Sequence, residues 1–284
     1  MTILITGARG QIGRVVVDRL HSAGLPVRAA SARPAELTVP AGVGTVELVL
    51  DRPETFSAAL DGVKQVFLYP NPAGIDELIK AATAAGVEHV VLLSSSSVLA
   101  PGAESEPLAL HHSQVERALA DSGLTATFLR PGAFNSNARG WARTIGQSLP
   151  VQLAYPEAEV ASIHPDDVAD VAVAALTGDA LTGRSLTGRS LTLSGPESLS
   201  FRRQLALIGE AVGREIPVER ISRAEQERQM AAFMPEPMVA SLLKGWEAAD
   251  GKAEDIADTT ASLLGRPART FAQWARENAH VFTA

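Results

Sequence analysis

An α/β fold, a doubly wound parallel sheet with helices on both faces, is what this sequence predicts, on three observations. Short apolar runs recur through the first half of the chain: Thr2–Thr6, Val27–Ala30, Thr45–Val49, Gln65–Leu68, His89–Leu93 and Ala126–Leu129. Most are separated by alanine-rich amphipathic stretches of helical period, the spacing that crossovers between parallel strands require. The first run passes directly into Gly7, Gly10 and Gly13 and then into an amphipathic helix.

Taken in order, the first strand and its glycines say most. A pyrophosphate approaches backbone amides at the start of a helix, where the dipole is positive, and side chains would block that approach. The arrangement therefore predicts a Rossmann-type dinucleotide site; the plainer alternative is a tight strand-to-helix turn without a ligand. An NAD site usually places Asp or Glu about 20 residues further on to hold the ribose hydroxyls. Here Val27–Ser31 ends without a carboxylate and is followed by Arg33, whose guanidinium suits a 2′-phosphate, so NADPH/NADP+ is expected in preference to NAD. The alternative for Arg33 is a solvated loop arginine. Arg28, inside the second strand, has less reach toward the ribose.

Residues Ala32 to Gly44 carry Pro34 and Pro40 and predict a loop or a short helix. After Pro131 the rhythm changes: Val151–Ala154 reads as a strand, Pro165–Leu176 as a helix with Asp166 and Asp167 in its first turn, and Ser190–Leu193 as another strand. From Ser200 onward the pattern is nearly all helix, punctuated by Pro217, Pro235, Pro237 and Pro267. The chain thus divides into an NAD(P)-binding Rossmann domain, 1–150, and a small, mostly helical C-terminal lobe, 151–284, interleaved with the sheet around 151–195. The lobe is expected to close over the carboxyl edge of the sheet, where such sheets bind ligands. The repeat Leu181–Ser185 and Leu186–Ser190 reads as a local duplication that lengthens a loop.

Composition bounds the partners. A chain of 284 residues that is 46% hydrophobic can bury a sizeable core. A net charge of −7 with scattered basic residues argues against a nucleic-acid groove. With 0 cysteines there are no disulfides, thiolate metal sites or cysteine nucleophile, and a cytoplasmic setting is the simplest. Met1 opens directly into the first strand, so no signal segment is expected, and no apolar run reaches membrane-spanning length. A monomer or a homodimer acting on a small molecule fits these limits.

Several landmarks resemble the NmrA-like atypical short-chain dehydrogenase/reductases, which include NAD(P)H-dependent quinone reductases and non-catalytic redox sensors. They are Ile5–Gly13, Val66–Pro72, His89–Val98, Val115–Phe134, His164–Leu176, Leu191–Phe201 and Gly265–Phe282, and their order spans essentially the whole chain. The resemblance implies that Gly7, Arg9, Gln11 and Ile12 meet the pyrophosphate, beside the Gly10 and Gly13 that the turn itself points to, and that Arg33 meets the 2′-phosphate. It implies further that Asp51, Tyr69 and Pro70 flank the adenine and its ribose, and that Ser94, Ser95 and the turn Pro131–Phe134 border the nicotinamide.

One departure bears on the chemistry. Carbonyl-reducing members of the wider family use Tyr-x-x-x-Lys, in which the lysine lowers the tyrosine pKa and the phenol protonates the developing alkoxide. The corresponding segment here, Leu108–Glu116, has neither residue, and neither Tyr69 nor Tyr155 is followed four residues later by lysine. If His112 takes the lysine place, Leu108 takes that of tyrosine. Quinone reduction tolerates this, because water or a histidine can protonate the hydroquinone anion. His111 and His112, whose imidazoles ordinarily titrate near neutrality, are the candidate proton donors; the alternative is a helix-surface feature. Adjacent histidines project about 100° apart on a helix, so no metal is expected.

Ser94–Ser97 suggest pocket hydroxyls, since no base or elbow pattern accompanies them. Asn135, Trp141 and Phe233 are candidate substrate contacts, with a turn cap for Asn135 and core packing for the aromatics as alternatives. Met230 and Met234, one helical turn apart, equally suit a core. The leading expectation is an NADPH-dependent oxidoreductase of quinone-like or other conjugated, electron-poor acceptors. The alternatives are an NADP(H)-binding sensor without turnover and a non-redox tailoring enzyme on the same fold.

Overall fold

The computed structural model describes residues 2–178 and 185–283, so the first copy of the repeat, up to Arg184, lies outside the described residues. The amino-terminal half alternates as read. The chain runs β1 (Thr2–Ile5), α1 (Gln11–Ser22), β2 (Val27–Ser31), β3 (Gly44–Glu47), α2 (Phe56–Leu60), β4 (Val63–Leu68), α3 (Ile75–Ala84), β5 (His89–Leu93), α4 (Pro107–Asp121) and β6 (Thr125–Pro131). It continues through α5 (Ala142–Gly146), β7 (Val151–Leu153), β8 (Glu159–Val160), α6 (Pro165–Thr177) and β9 (Ser190–Leu193). The last stretch is β10 (Leu199–Ser200), α7 (Phe201–Val212), β11 (Val218–Arg220), α8 (Arg223–Ala231), α9 (Glu236–Ala248), α10 (Thr259–Leu264) and α11 (Phe271–Glu277). The loop after β2 contains a single 3₁₀ turn, Pro34–Glu36.

Seven parallel strands make one sheet in the order β3-β2-β1-β4-β5-β6-β9. The order reverses between β1 and β4, and doubly wound sheets open a ligand crevice at such a switch point. Period-two alternation distributes β1 between two cores: Ile3 and Ile5 pack with Ile12, Val16 and Leu20 of α1 and Val168 and Val171 of α6. Leu4 packs on the other face with Phe56, Leu60, Leu78, Val115 and Leu119 from α2, α3 and α4.

The terminus of α6 follows from its sequence: Pro165 fixes the first turn, the His164 imidazole accepts from the Asp166 amide, and Gly178 ends the helix at φ 72°. α7 begins where the Ser200 hydroxyl accepts from the Arg203 amide and ends at Gly213 in the left-handed conformation.

A third core builds the C-terminal lobe from Ile145, Leu153, Phe201, Ile208, Phe271, Trp274 and Phe282. The strand expected at Val151–Ala154 forms over Val151–Leu153 but pairs with β11, not with the seven-stranded sheet. That second strand interrupts the nearly all-helical pattern expected after Ser200. Among the described residues, no helix is long and apolar enough to cross a membrane.

Candidate functional site

At the switch point each glycine of the first turn provides room. Gly7 has φ +60°, and a Cβ there would lie 3.0 Å from that of Tyr69. The Gly10 amide donates to the Gly7 carbonyl at 2.8 Å, and a Cβ on Gly13 would stand 2.4 Å from the same carbonyl oxygen. The turn therefore folds tightly against α1 and leaves the first amides of that helix without an intrahelical partner. A groove of about 390 Å³ opens over Gly7, Gly10–Gly13 and Tyr69 and runs to Leu93 and Phe134. Backbone donors lie beneath a space that side chains do not fill, and such a cradle fits a dinucleotide pyrophosphate.

Around it, Tyr69 is 54% exposed, its amide donating to the Thr6 hydroxyl at 2.7 Å, while Pro70 is buried beside it. Asp51 is exposed in the turn after β3. Arg33, just past β2, is exposed and pairs with Glu36 at 2.9 Å; Arg9, from the glycine turn, pairs with the same carboxylate at 3.0 Å. The carboxylate missing from the end of β2 is thus brought in by the 3₁₀ turn. A strand-based reading passes over it because it lies in the loop.

Beyond Phe134, which lines both spaces, a second cleft of about 600 Å³ lies between the carboxyl ends of β5 and β6 and the helices of the C-terminal lobe. Ser94–Ser97 and Pro131–Phe134 form its floor. Trp141, Phe201 and Trp246, packed edge to face at 5.9 and 5.1 Å, supply flat apolar walls with Met230, Met234 and Leu242. Among the described residues of the lining, none is Lys or Arg. Trp141, a candidate substrate contact, lines this cleft. Phe233 does not: it is 75% exposed, and the methionines on either side of it in the helical turn face the cleft instead. Asn135 is fully buried outside the lining, its backbone amide hydrogen-bonded to the Ile163 carbonyl and its side-chain oxygen and nitrogen without hydrogen-bond partners among the described residues.

Leu108 and His112, one turn apart on α4, both line this cleft. Burial pushes the His112 imidazole down to about 4, and the neighbouring His111, its ring 5.5 Å away, adds to the effect. This corrects the expectation of an imidazole titrating near neutrality: His112 is neutral at pH 7. The His111 ring nitrogen instead lies 3.4 Å from the Pro70 carbonyl. One turn further along α4, Glu116 is buried and receives Arg130 through two hydrogen bonds of 2.9 and 2.6 Å. The Ser94 hydroxyl donates to Glu116 at 2.5 Å, so it is tied to this pair and is not a free pocket hydroxyl; Ser95 caps the following turn by accepting from the Ser97 amide.

Gln204 and Glu254 also line the cleft, and sequence reasoning missed both. Glu254 accepts from the Ala161 amide at 2.6 Å, from an irregular stretch after α9 where periodicity carries no signal. Among the described residues no cluster could hold a metal ion.

The chain matches the family described as NAD(P)H-binding over residues 7–179. It is 39% identical, over 99% of both chains, to the (4-alkanoyl-5-oxo-2,5-dihydrofuran-3-yl)methyl phosphate reductase of Streptomyces griseus. It is 31% identical, again over 99% of both, to the NAD(P)H azoreductase of Xenophilus azovorans. Among solved structures, an NADPH-dependent quinone oxidoreductase of Escherichia coli superposes with a TM-score of 0.79 at 25% identity, covering 97% of this chain and 98% of that one.

Proposed function

The chain belongs to the NAD(P)H-binding, NmrA-like family of atypical short-chain dehydrogenase/reductases, and from that premise we propose that it is an NADPH-dependent reductase of flat, conjugated, electron-poor acceptors. The observation that carries this reading is the junction at Phe134 of a nucleotide groove with an aromatic-walled cleft whose lining, among the described residues, holds neither Lys nor Arg. The nicotinamide, when bound, supplies a hydride. What the chain supplies is position: the glycine turn and the start of α1 hold the pyrophosphate, Arg33 the 2′-phosphate, and Phe134 borders both spaces.

Trp141, Phe201 and Trp246 offer faces on which a planar acceptor stacks, and such contacts exclude water without adding charge. The final proton comes from solvent, because the imidazole in the lining is neutral at pH 7. Relatives named for reducing a dihydrofuranone, an azo compound and a quinone share conjugation in their acceptors, which supports the class and leaves its member open.

The test is the loss of dihydronicotinamide absorbance when the protein and NADPH meet a panel of quinones, 2,5-dihydrofuran-2-ones and azo dyes, with NADH alongside. Turnover of at least one class, faster with NADPH, is the expected result. Protein that binds NADPH and oxidises it with none of them contradicts the proposal and favours a nucleotide sensor.

A further inference from the structure

Two arginines from different parts of the chain share one carboxylate. Arg9 follows β1 in the glycine turn, Arg33 follows β2, and Glu36 ends the 3₁₀ turn between β2 and β3. Glu36 Oε2 lies 3.0 Å from Arg9 Nη1 and its Oε1 2.9 Å from Arg33 Nη1. All three side chains are about half exposed, at 53%, 62% and 49% for Arg9, Arg33 and Glu36, so an anion from solution can reach them. The ends of β1 and β2 flank the place where sheets of this topology hold the adenine ribose. A carboxylate between two guanidiniums there offers the charge and paired oxygens that a phosphate monoester would otherwise bring. The turn is held by its own backbone, with the Glu36 amide on the Arg33 carbonyl at 3.1 Å and Leu37 on Pro34 at 3.1 Å, so the Glu36 side chain can swing while its Cα stays.

We propose that Glu36 determines cofactor specificity by competing with the 2′-phosphate of NADPH for Arg9 and Arg33. With NADH bound, no phosphate displaces the carboxylate, which stays paired and accepts from the ribose hydroxyls. NADPH gains both arginines only by releasing Glu36 and keeping a like charge nearby. The preference for NADPH is therefore narrowed, and the chain uses both nucleotides. This inference rests on the reading of Arg33 as a partner of the 2′-phosphate.

Calorimetric titration of the full chain with NADPH, NADH and adenosine 2′,5′-bisphosphate tests it, using the unaltered protein, Glu36→Gln and Arg33→Ala. In Glu36→Gln the affinities for NADPH and the bisphosphate should rise about fivefold, the scale that two exposed ion pairs can supply, while NADH binding weakens about twofold. No change, or an equal change for NADPH and NADH, overturns the role of Glu36. Arg33→Ala separates the two claims. If it lowers the NADPH-to-NADH ratio while Glu36→Gln leaves that ratio unmoved, the competition alone is refuted. If Arg33→Ala leaves the ratio unchanged, the 2′-phosphate assignment falls and the role of Glu36 with it.

Discussion

Single side chains show where burial and charge outweigh residue type. His112 is a histidine whose surroundings remove the property that made it a candidate acid, because a desolvated imidazole resists protonation. Replacing His111 and His112 together by Ala should leave turnover at pH 7 within about threefold while nucleotide affinity stays unchanged. A loss of a hundredfold in kcat would restore a histidine acid. Asp167 shows the converse. Read from the sequence it is a favourable charge at a helix start, yet it is fully buried and accepts from Arg266 Nη2 and the Arg269 amide, both at 2.7 Å, and from the Arg269 guanidinium. Asp170 shares both arginines and also holds Arg19. Removing one member of a buried pair leaves the others uncompensated, so Asp167→Ala should cost about 3 kcal/mol, measured by urea unfolding. A loss below about 1 kcal/mol would mean that solvent already screens the cluster.

Among elements, the turn between β1 and α1 is the least tolerant of change. A methyl group on Gly13 meets the Gly7 carbonyl at 2.4 Å, and that contact is between backbone segments that no rotamer relieves. Gly13→Ala should therefore weaken NADPH and NADH binding alike, by more than tenfold, and lower stability by about 1–3 kcal/mol. Calorimetry and denaturant unfolding read the two effects separately. α4 works differently, presenting Leu108, His112 and Glu116 along one stripe at intervals of four residues. The first two line the cleft beside the C-terminal lobe, and the third ties Ser94 at the end of β5 to Arg130 on β6. That stripe was legible as helical spacing. Its division between cleft lining and support was not, because only the packed strands show what each side chain meets.

At the scale of the whole molecule, stability depends on pH and on the nucleotide. His112 and His89 both have imidazoles lowered by burial, His112 to about 4. A histidine whose folded pKa lies below its unfolded value leaves the unfolded chain binding more protons between the two. Stability is then full above about pH 6.5 and falls as the pH drops toward about 4, with His112 contributing at most about 3 kcal/mol. Urea midpoints at pH 7.5 and 5 should differ accordingly, and His112→Gln should flatten the difference; an unaltered slope would place the dependence elsewhere. Because the groove and the cleft join the sheet to the C-terminal lobe, NADPH at about a hundred times its Kd should raise Tm by roughly 5 °C through mass action.

The sequence by itself determined the sheet, its helices and the glycine turn, because these are written in local terms: a period of two, a period near 3.6, and residues without a Cβ where backbone must approach. Gly7, Gly10 and Gly13 and the run His89–Leu93 are readable without knowing what they touch. Only the tertiary structure decided that β7 leaves the main sheet for β11, that Phe233 turns outward while Met230 and Met234 line the cleft, and that Glu36 joins Arg9 and Arg33. Each of those outcomes depends on partners distant in the chain or on the direction of one side chain. Electrostatics and desolvation likewise act through space, so the neutral His112 and the buried Asp167 could be assigned only once the fold had brought their neighbours together.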